Sequence, residues 1–157
     1  MTMRELQKKN YSCGPATIRF DLYMSGIEVS ESSIRKLAKT TKKGTNAKGI
    51  IRALKRFGKK TKKIQVFSPT QAWRRLLSCL NKGKTVFLCC DDENHWVLAV
   101  GGFAGKIWVF DPDSTSRKSR RRYCALELYS KKALIRRWGC VYESGEESFF
   151  AISAKRL

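Results

Sequence analysis

Cys13 is followed by Gly14-Pro15-Ala16, and the chain contains one histidine, His95. Proline is tolerated in the first turn of a helix, where the amides have no intrahelical partner, so this cysteine stands at a helix start. Those amides and the positive end of the helix dipole favour a thiolate, the form in which cysteine attacks a carbonyl. A thiol nucleophile needs a base, and any mechanism that uses imidazole must use His95. Asp111, in Asp111-Pro112-Asp113, is the candidate to orient that ring through its other nitrogen. Each residue also has a plainer reading. A cysteine before Gly-Pro-Ala serves equally as core packing, a histidine opening a strand closes a hydrogen bond at a sheet edge, and Asp-Pro-Asp makes a turn.

The elements needed to bring these residues together are legible in the apolar spacing. A first helix runs from Cys13 to Gly26. A second is capped by Ser30 and carries Ile34, Leu37 and Ala38, and a third is capped by Thr45 or Asn46 and carries Ile50, Ile51, Leu54 and Phe57. A strand follows over 64–67, then a helix opened by Ser68-Pro69 with Trp73, Leu76, Leu77 and Leu80 on its apolar face. Strands are expected over 85–90, 95–100, 106–110, 123–129, 139–143 and 149–153, with a short helix over 130–138. Helices first and a sheet afterwards imply an α+β fold, an N-terminal helical half packed on a C-terminal antiparallel sheet. The meeting of His95 and Asp111 depends on one hairpin. A five-residue loop over 101–105 sets them directly opposite, whereas a two-residue turn at Phe103-Ala104 puts them on opposite faces unless a bulge corrects the register.

At 157 residues the chain is expected to form a single domain, 1–157, and 42% hydrophobic residues exclude a wholly disordered basic tail. Its N-terminus is polar and its longest apolar run, Val86 to Cys90, is far short of a membrane span. An intracellular, soluble protein, cytoplasmic or nuclear, follows as the expectation. Cys79, Cys89, Cys90, Cys124 and Cys140 then read as reduced core thiols. With no Cys-x-x-Cys pair and a single histidine, no metal or cofactor is expected.

The order Gln7, Cys13-Gly14-Pro15-Ala16, Gly26-Ile27-Glu28-Val29-Ser30, Gly44-Thr45, Gly49, His95-Trp96-Val97 and Asp111-Pro112 resembles the bacteriocin-processing cysteine peptidases, which remove double-glycine leader peptides. The matching residues span about two-thirds of the chain in the family's order. The resemblance implies a papain-like fold and a cysteine endopeptidase, expected here as a stand-alone domain. It assigns Cys13 as nucleophile, His95 as general base and acid, Asp111 as the residue orienting the imidazole, and Gln7 as side-chain donor of the oxyanion hole beside the Cys13 amide. Peptide hydrolysis needs no cofactor; transamidation or deamidation by the same residues is also open.

A second class of function comes from charge. Lysine and arginine number 33 against 13 acidic residues, a formal charge of +20 that implies a polyanionic neighbour. The candidate contacts are Lys59, Lys60, Lys62 and Lys63, with Arg117, Lys118, Arg120, Arg121 and Arg122, read as surface loops that bind phosphate backbones without sequence preference. On this reading the chain is a basic nucleic-acid-associated or virion-packaged binding protein that keeps a peptidase-like fold.

Overall fold

The computed structural model describes residues 6–113 and 126–157. The second basic run, Arg117 to Arg122, and Cys124 lie outside the described residues. Helix α1 spans Cys13–Met24, α2 Glu31–Ala38 and α3 Ala47–Arg56. Of the two caps expected for α3, the one used is Asn46, its side chain accepting from Gly49 N, as Ser30 accepts from Ser33 N for α2. Strand β1, Thr61–Val66, precedes α4, Pro69–Asn81, which Ser68 caps with proline in its first turn. The rest of the chain forms β2 Lys84–Cys90, β3 His95–Phe103, β4 Lys106–Phe110, β5 Leu126–Ser130, α5 Lys131–Trp138, β6 Cys140–Val141 and β7 Glu147–Lys155. The strand expected over 139–143 is cut to two residues because a turn intervenes, with Tyr142 N bonding Glu146 O and Gly145 at φ 82°.

The strands among the described residues join antiparallel in the order β1-β7-β2-β3-β4-β5, with β6 beside β7. The fold is α+β. Helices α1, α2 and α3 pack on one face through Ile18, Leu22, Ile34, Ile50 and Leu54 against Phe87, Leu98, Phe110 and Ile152. Phe20 stacks on Phe110 with ring centroids 4.1 Å apart, tying α1 to β4. The other face is covered by α4 and α5, whose Leu76, Leu134 and Trp138 meet Val86, Leu88, Val97 and Val109. This second helical layer completes the core. It also explains why β2 reads as one continuous apolar run, since a strand covered on both faces has no polar side.

One charged residue departs from expectation. Lys59 is not a surface loop residue: it is 2% exposed, and its Nζ lies 2.6 Å from Asp21 Oδ2 on α1. Asp21 Oδ1 accepts from Thr85 Oγ1 at 2.7 Å, and the Lys59 ammonium also reaches Ser25 Oγ at 3.2 Å. Lysine is buried this deeply only when a carboxylate and further hydrogen bonds replace its water. Lys60 to Lys63 are likewise not a loop but lead into and run along the sheet's edge strand.

Candidate active site

Cys13 begins α1, and the Thr17 hydroxyl ties the start of that helix to Trp96 on β3, which is itself tied to the segment before α3. The Thr17 hydroxyl lies 2.6 Å from Cys13 O and 3.2 Å from Trp96 O, and Trp96 Nε1 donates to Thr45 O at 2.7 Å. Close approach depends on Gly14, where an added Cβ would lie 2.9 Å from Thr45 Cβ and 3.0 Å from Ile50 Cδ1. Ser12, just before the helix, makes no side-chain cap. Its hydroxyl turns back to Lys9, donating to the carbonyl and accepting from the amide at 3.0 Å each. The first-turn amides of α1 are therefore not taken up by a capping side chain, and the Cys13 amide is one of them.

His95 opens β3, and its geometry with Asp111 rests on a β-bulge. The turn is Ala104-Gly105, neither the five-residue loop nor the Phe103-Ala104 turn, and it pairs Phe103 with Lys106. Between Ala99 and Gly101 the register shifts, so Val100 is the extra residue, and beyond it Leu98 pairs with Phe110. Continuing that register brings Asp111 level with Val97, two residues from His95 and on the same face, because side chains alternate with period two. His95 Nε2 and Asp111 Oδ1 are 2.7 Å apart. An ionised carboxylate only accepts, so Nε2 carries the proton and Nδ1 is left to the thiol. Cys13 is among the neighbours that raise the pKa of the ring, after Asp111. Burial pulls the imidazolium down, but the hydrogen bond and charge of Asp111, together with the nearby Cys13, outweigh that, pushing His95 up to about 10. Asp111 is raised by its own burial and lowered more strongly by His95 and Arg137, so it lies below its ordinary value.

Arg137, near the C-terminus of α5, carries no motif in the sequence but anchors this chain of contacts. Its Nη1 lies 2.8 Å from Asp111 Oδ2 and 2.9 Å from Tyr129 Oη. Its Nε and Nη2 grip both oxygens of Asp91 at 3.0 and 2.8 Å. Asp91, Asp92 and Glu93 all have positive φ, 53°, 56° and 62°, in the tight turn that delivers His95 to β3. Arg137 therefore holds the orienting carboxylate and the turn before the imidazole with one rigid fork. A basic residue late in a helix is an ordinary sequence feature, so nothing in the sequence marks it out.

Gln7 is held beside Asp111 by its main chain: Gln7 N donates to Pro112 O at 3.0 Å. Its Nε2 donates one hydrogen to Lys9 O at 2.9 Å, and its Oε1 is buried without a hydrogen-bond partner among the described residues. The neighbouring Lys8 amide donates to Glu31 Oε2 at 3.0 Å, so a fully buried carboxylate at the start of α2 fixes the segment that carries Gln7. Glu31 has no catalytic spacing to betray it. Cys89, Cys90 and Cys140 are poor thiolates. Burial pushes Cys89 up to about 12, helped by the charges of Glu93 and Cys13, and burial likewise raises Cys90 and Cys140.

Residues 3–137 match the Peptidase C39 family. The chain is 26% identical over 130 residues, 83% of it and 84% of the other, to an uncharacterized protein of Methanothermobacter thermautotrophicus. Its fold is similar to the peptidase domain of Streptococcus ComA, a bi-functional ABC transporter in quorum sensing, with a TM-score of 0.65, 23% identity and coverage of 93% and 95% of the two chains. It is similar at the same TM-score to a double glycine motif protease from an AMS/PCAT transporter, solved with its leader peptide, at 17% identity and coverage of 93% and 88%. Among the described residues no helix is long and apolar enough to cross a membrane.

Proposed function

The chain belongs to the Peptidase C39 family of papain-like cysteine peptidases, and from that premise we propose that it hydrolyses a peptide bond with Cys13 as nucleophile, His95 as general base and acid, and Asp111 as the residue that orients the ring. The Cys13 sulfur adds to the scissile carbonyl while its proton resides on His95 Nδ1. The oxygen of the tetrahedral intermediate takes up charge beside the Cys13 amide and the second hydrogen of Gln7 Nε2. His95 then gives its proton to the departing amine, leaving an acyl-enzyme. Water, deprotonated by the same imidazole, attacks the thioester and restores the thiol.

The observation that carries this reading is the 2.7 Å contact between the His95 ring and the Asp111 carboxylate, with Cys13 among the neighbours that act on the same ring. An imidazolium stable to about pH 10 keeps a proton on the ring at neutral pH, ready for the departing amine. The test combines reactivity with turnover. At low iodoacetamide near neutral pH, mass spectrometry should find Cys13 alkylated first, and His95→Ala should slow that reaction. Cys13→Ala should abolish cleavage of a peptide library that includes double-glycine leaders. Equal alkylation of all thiols, with cleavage unchanged in Cys13→Ala, rejects the proposal.

A further inference from the structure

The charge of this protein is strongly segregated. Residues 32–90 contain seventeen lysines and arginines and no carboxylate, while the remaining sixteen are set against all thirteen acids. In the fold that stretch forms all of α2 but its first residue, α3, the edge strand β1, α4 and β2. Between β1 and α4 runs a groove lined by Lys62, Lys63, Arg75, Lys82 and Lys84, with Gln65, Ser78 and Ser153 between them. Arg74 borders an adjoining hollow that shares Arg75 and Ser78. Among the described residues no acidic side chain lines either hollow, and the nearby Lys59 is already spent on Asp21.

Lysines on an edge strand discourage sheets from pairing edge to edge. That role explains Lys62 and Lys63 but not Arg75 on α4, Lys82 just after that helix and Lys84 at the start of β2, which line the same groove. Five cations converging on one concave surface repel one another, an arrangement stabilised when a polyanion fills it. The groove is also remote from the thiol. Lys84 begins β2, whereas Cys90, at its other end, pairs with His95. Six residues of strand separate them, about 20 Å.

We propose that this groove binds the phosphate backbone of duplex nucleic acid, without sequence preference, at a site separate from the peptidase centre. The partner follows from shape and lining. A membrane meets a basic protein on a plane with apolar side chains to insert, whereas these cations line a trough. Neutral hydrogen-bonding groups between the cations match the mix of contacts made to phosphate and sugar. Among the described residues no aromatic ring lines the trough for single-stranded bases to stack on. A peptidase held in this way acts only on substrates brought to, or assembled on, the same nucleic acid.

The test uses the full chain and a fluorescently labelled 20-base-pair duplex of arbitrary sequence, read by anisotropy from 50 to 300 mM salt. The wild-type protein should bind steeply salt-dependently, and replacing the five groove cations by glutamine should weaken binding at least tenfold at 100 mM salt. The slope of log K against log salt should flatten by about 4.5, near 0.9 for each phosphate no longer neutralised. A control with Lys36, Lys39, Lys42, Lys43 and Lys48 changed to glutamine removes the same charge and should weaken binding less than threefold. Changing the four groove lysines to arginine should preserve binding and shows that repacking is not the cause. Equal loss in groove and control variants, no binding at 100 mM salt, or tighter binding to phosphatidylserine vesicles or polyglutamate than to the duplex each overturns the proposal. Binding is read without turnover, so its result is independent of whether Cys13 is catalytic.

Discussion

Asp111 sets Oδ1 2.7 Å from His95, where it also accepts from the Asp113 amide at 3.0 Å, and Oδ2 2.8 Å from Arg137, so it both holds the ring and is held itself. Asp111→Asn preserves shape but removes the charge that sustains the imidazolium. Activity should fall on the order of 10²- to 10⁴-fold, as expected when an orienting carboxylate is removed. The pH dependence gives a sharper reading. A group raised from 6.5 to about 10 contributes stability that is complete below its unfolded value and is lost as pH rises through about 10. Wild-type thermal stability should therefore decline between neutral pH and 10 more steeply than that of Asp111→Asn. The alkaline limb of kcat/KM should lie near 10 in the wild type and move toward neutrality in the variant. Arg137 acts through Asp111 and is a positioning residue. Arg137→Met should lower kcat by about 10- to 100-fold with KM little changed, the mark of misplaced groups rather than weakened substrate binding. Arg137→Lys restores charge without the fork and should recover only a fraction of the rate. A rise in KM at constant kcat would instead place Arg137 against substrate.

At the scale of elements, the site is made where α1 meets β3 and where the β3–β4 hairpin turns. The helix start, a cap at Thr45 or Asn46 and the glycine stops are legible in the sequence because each is a property of a few adjacent residues. The hairpin is not, since a two-residue turn alone gives one register and only the bulge at Val100 restores the shared face of His95 and Asp111. Gly49 shows how tightly the helical half is assembled: an added Cβ would stand 2.4 Å from Ala38 O and 2.9 Å from Thr45 Cγ2. Backbone must move to admit it. Gly49→Ala should cost about 1–3 kcal/mol by overpacking, visible as a lower melting temperature. Activity should fall with it, because the same displacement moves Thr45 away from Trp96, whose carbonyl meets the Thr17 hydroxyl on α1.

Across the whole molecule, two helical layers enclose one sheet and bury an ion pair where α1 meets the chain entering β1. Lys59→Met leaves Asp21 charged and without its cation in the interior, and should destabilise by about 3–5 kcal/mol in denaturant unfolding. Adding Asp21→Asn keeps an acceptor for Thr85 and should recover much of that stability. An additive double variant would mean that the pair is not coupled. The types and order of Gln7, Cys13, His95 and Asp111, the helix starts and the α+β class were determined by sequence alone, because motif chemistry, capping and apolar period depend on near neighbours. Tertiary structure decided what distance along the chain conceals. It supplied the second helical layer, the bulge that aligns ring and carboxylate, and the choice of Arg137 and Glu31 as anchors. It also took Lys59 out of the basic surface, since which cation meets a buried carboxylate is fixed by packing between elements far apart in the chain.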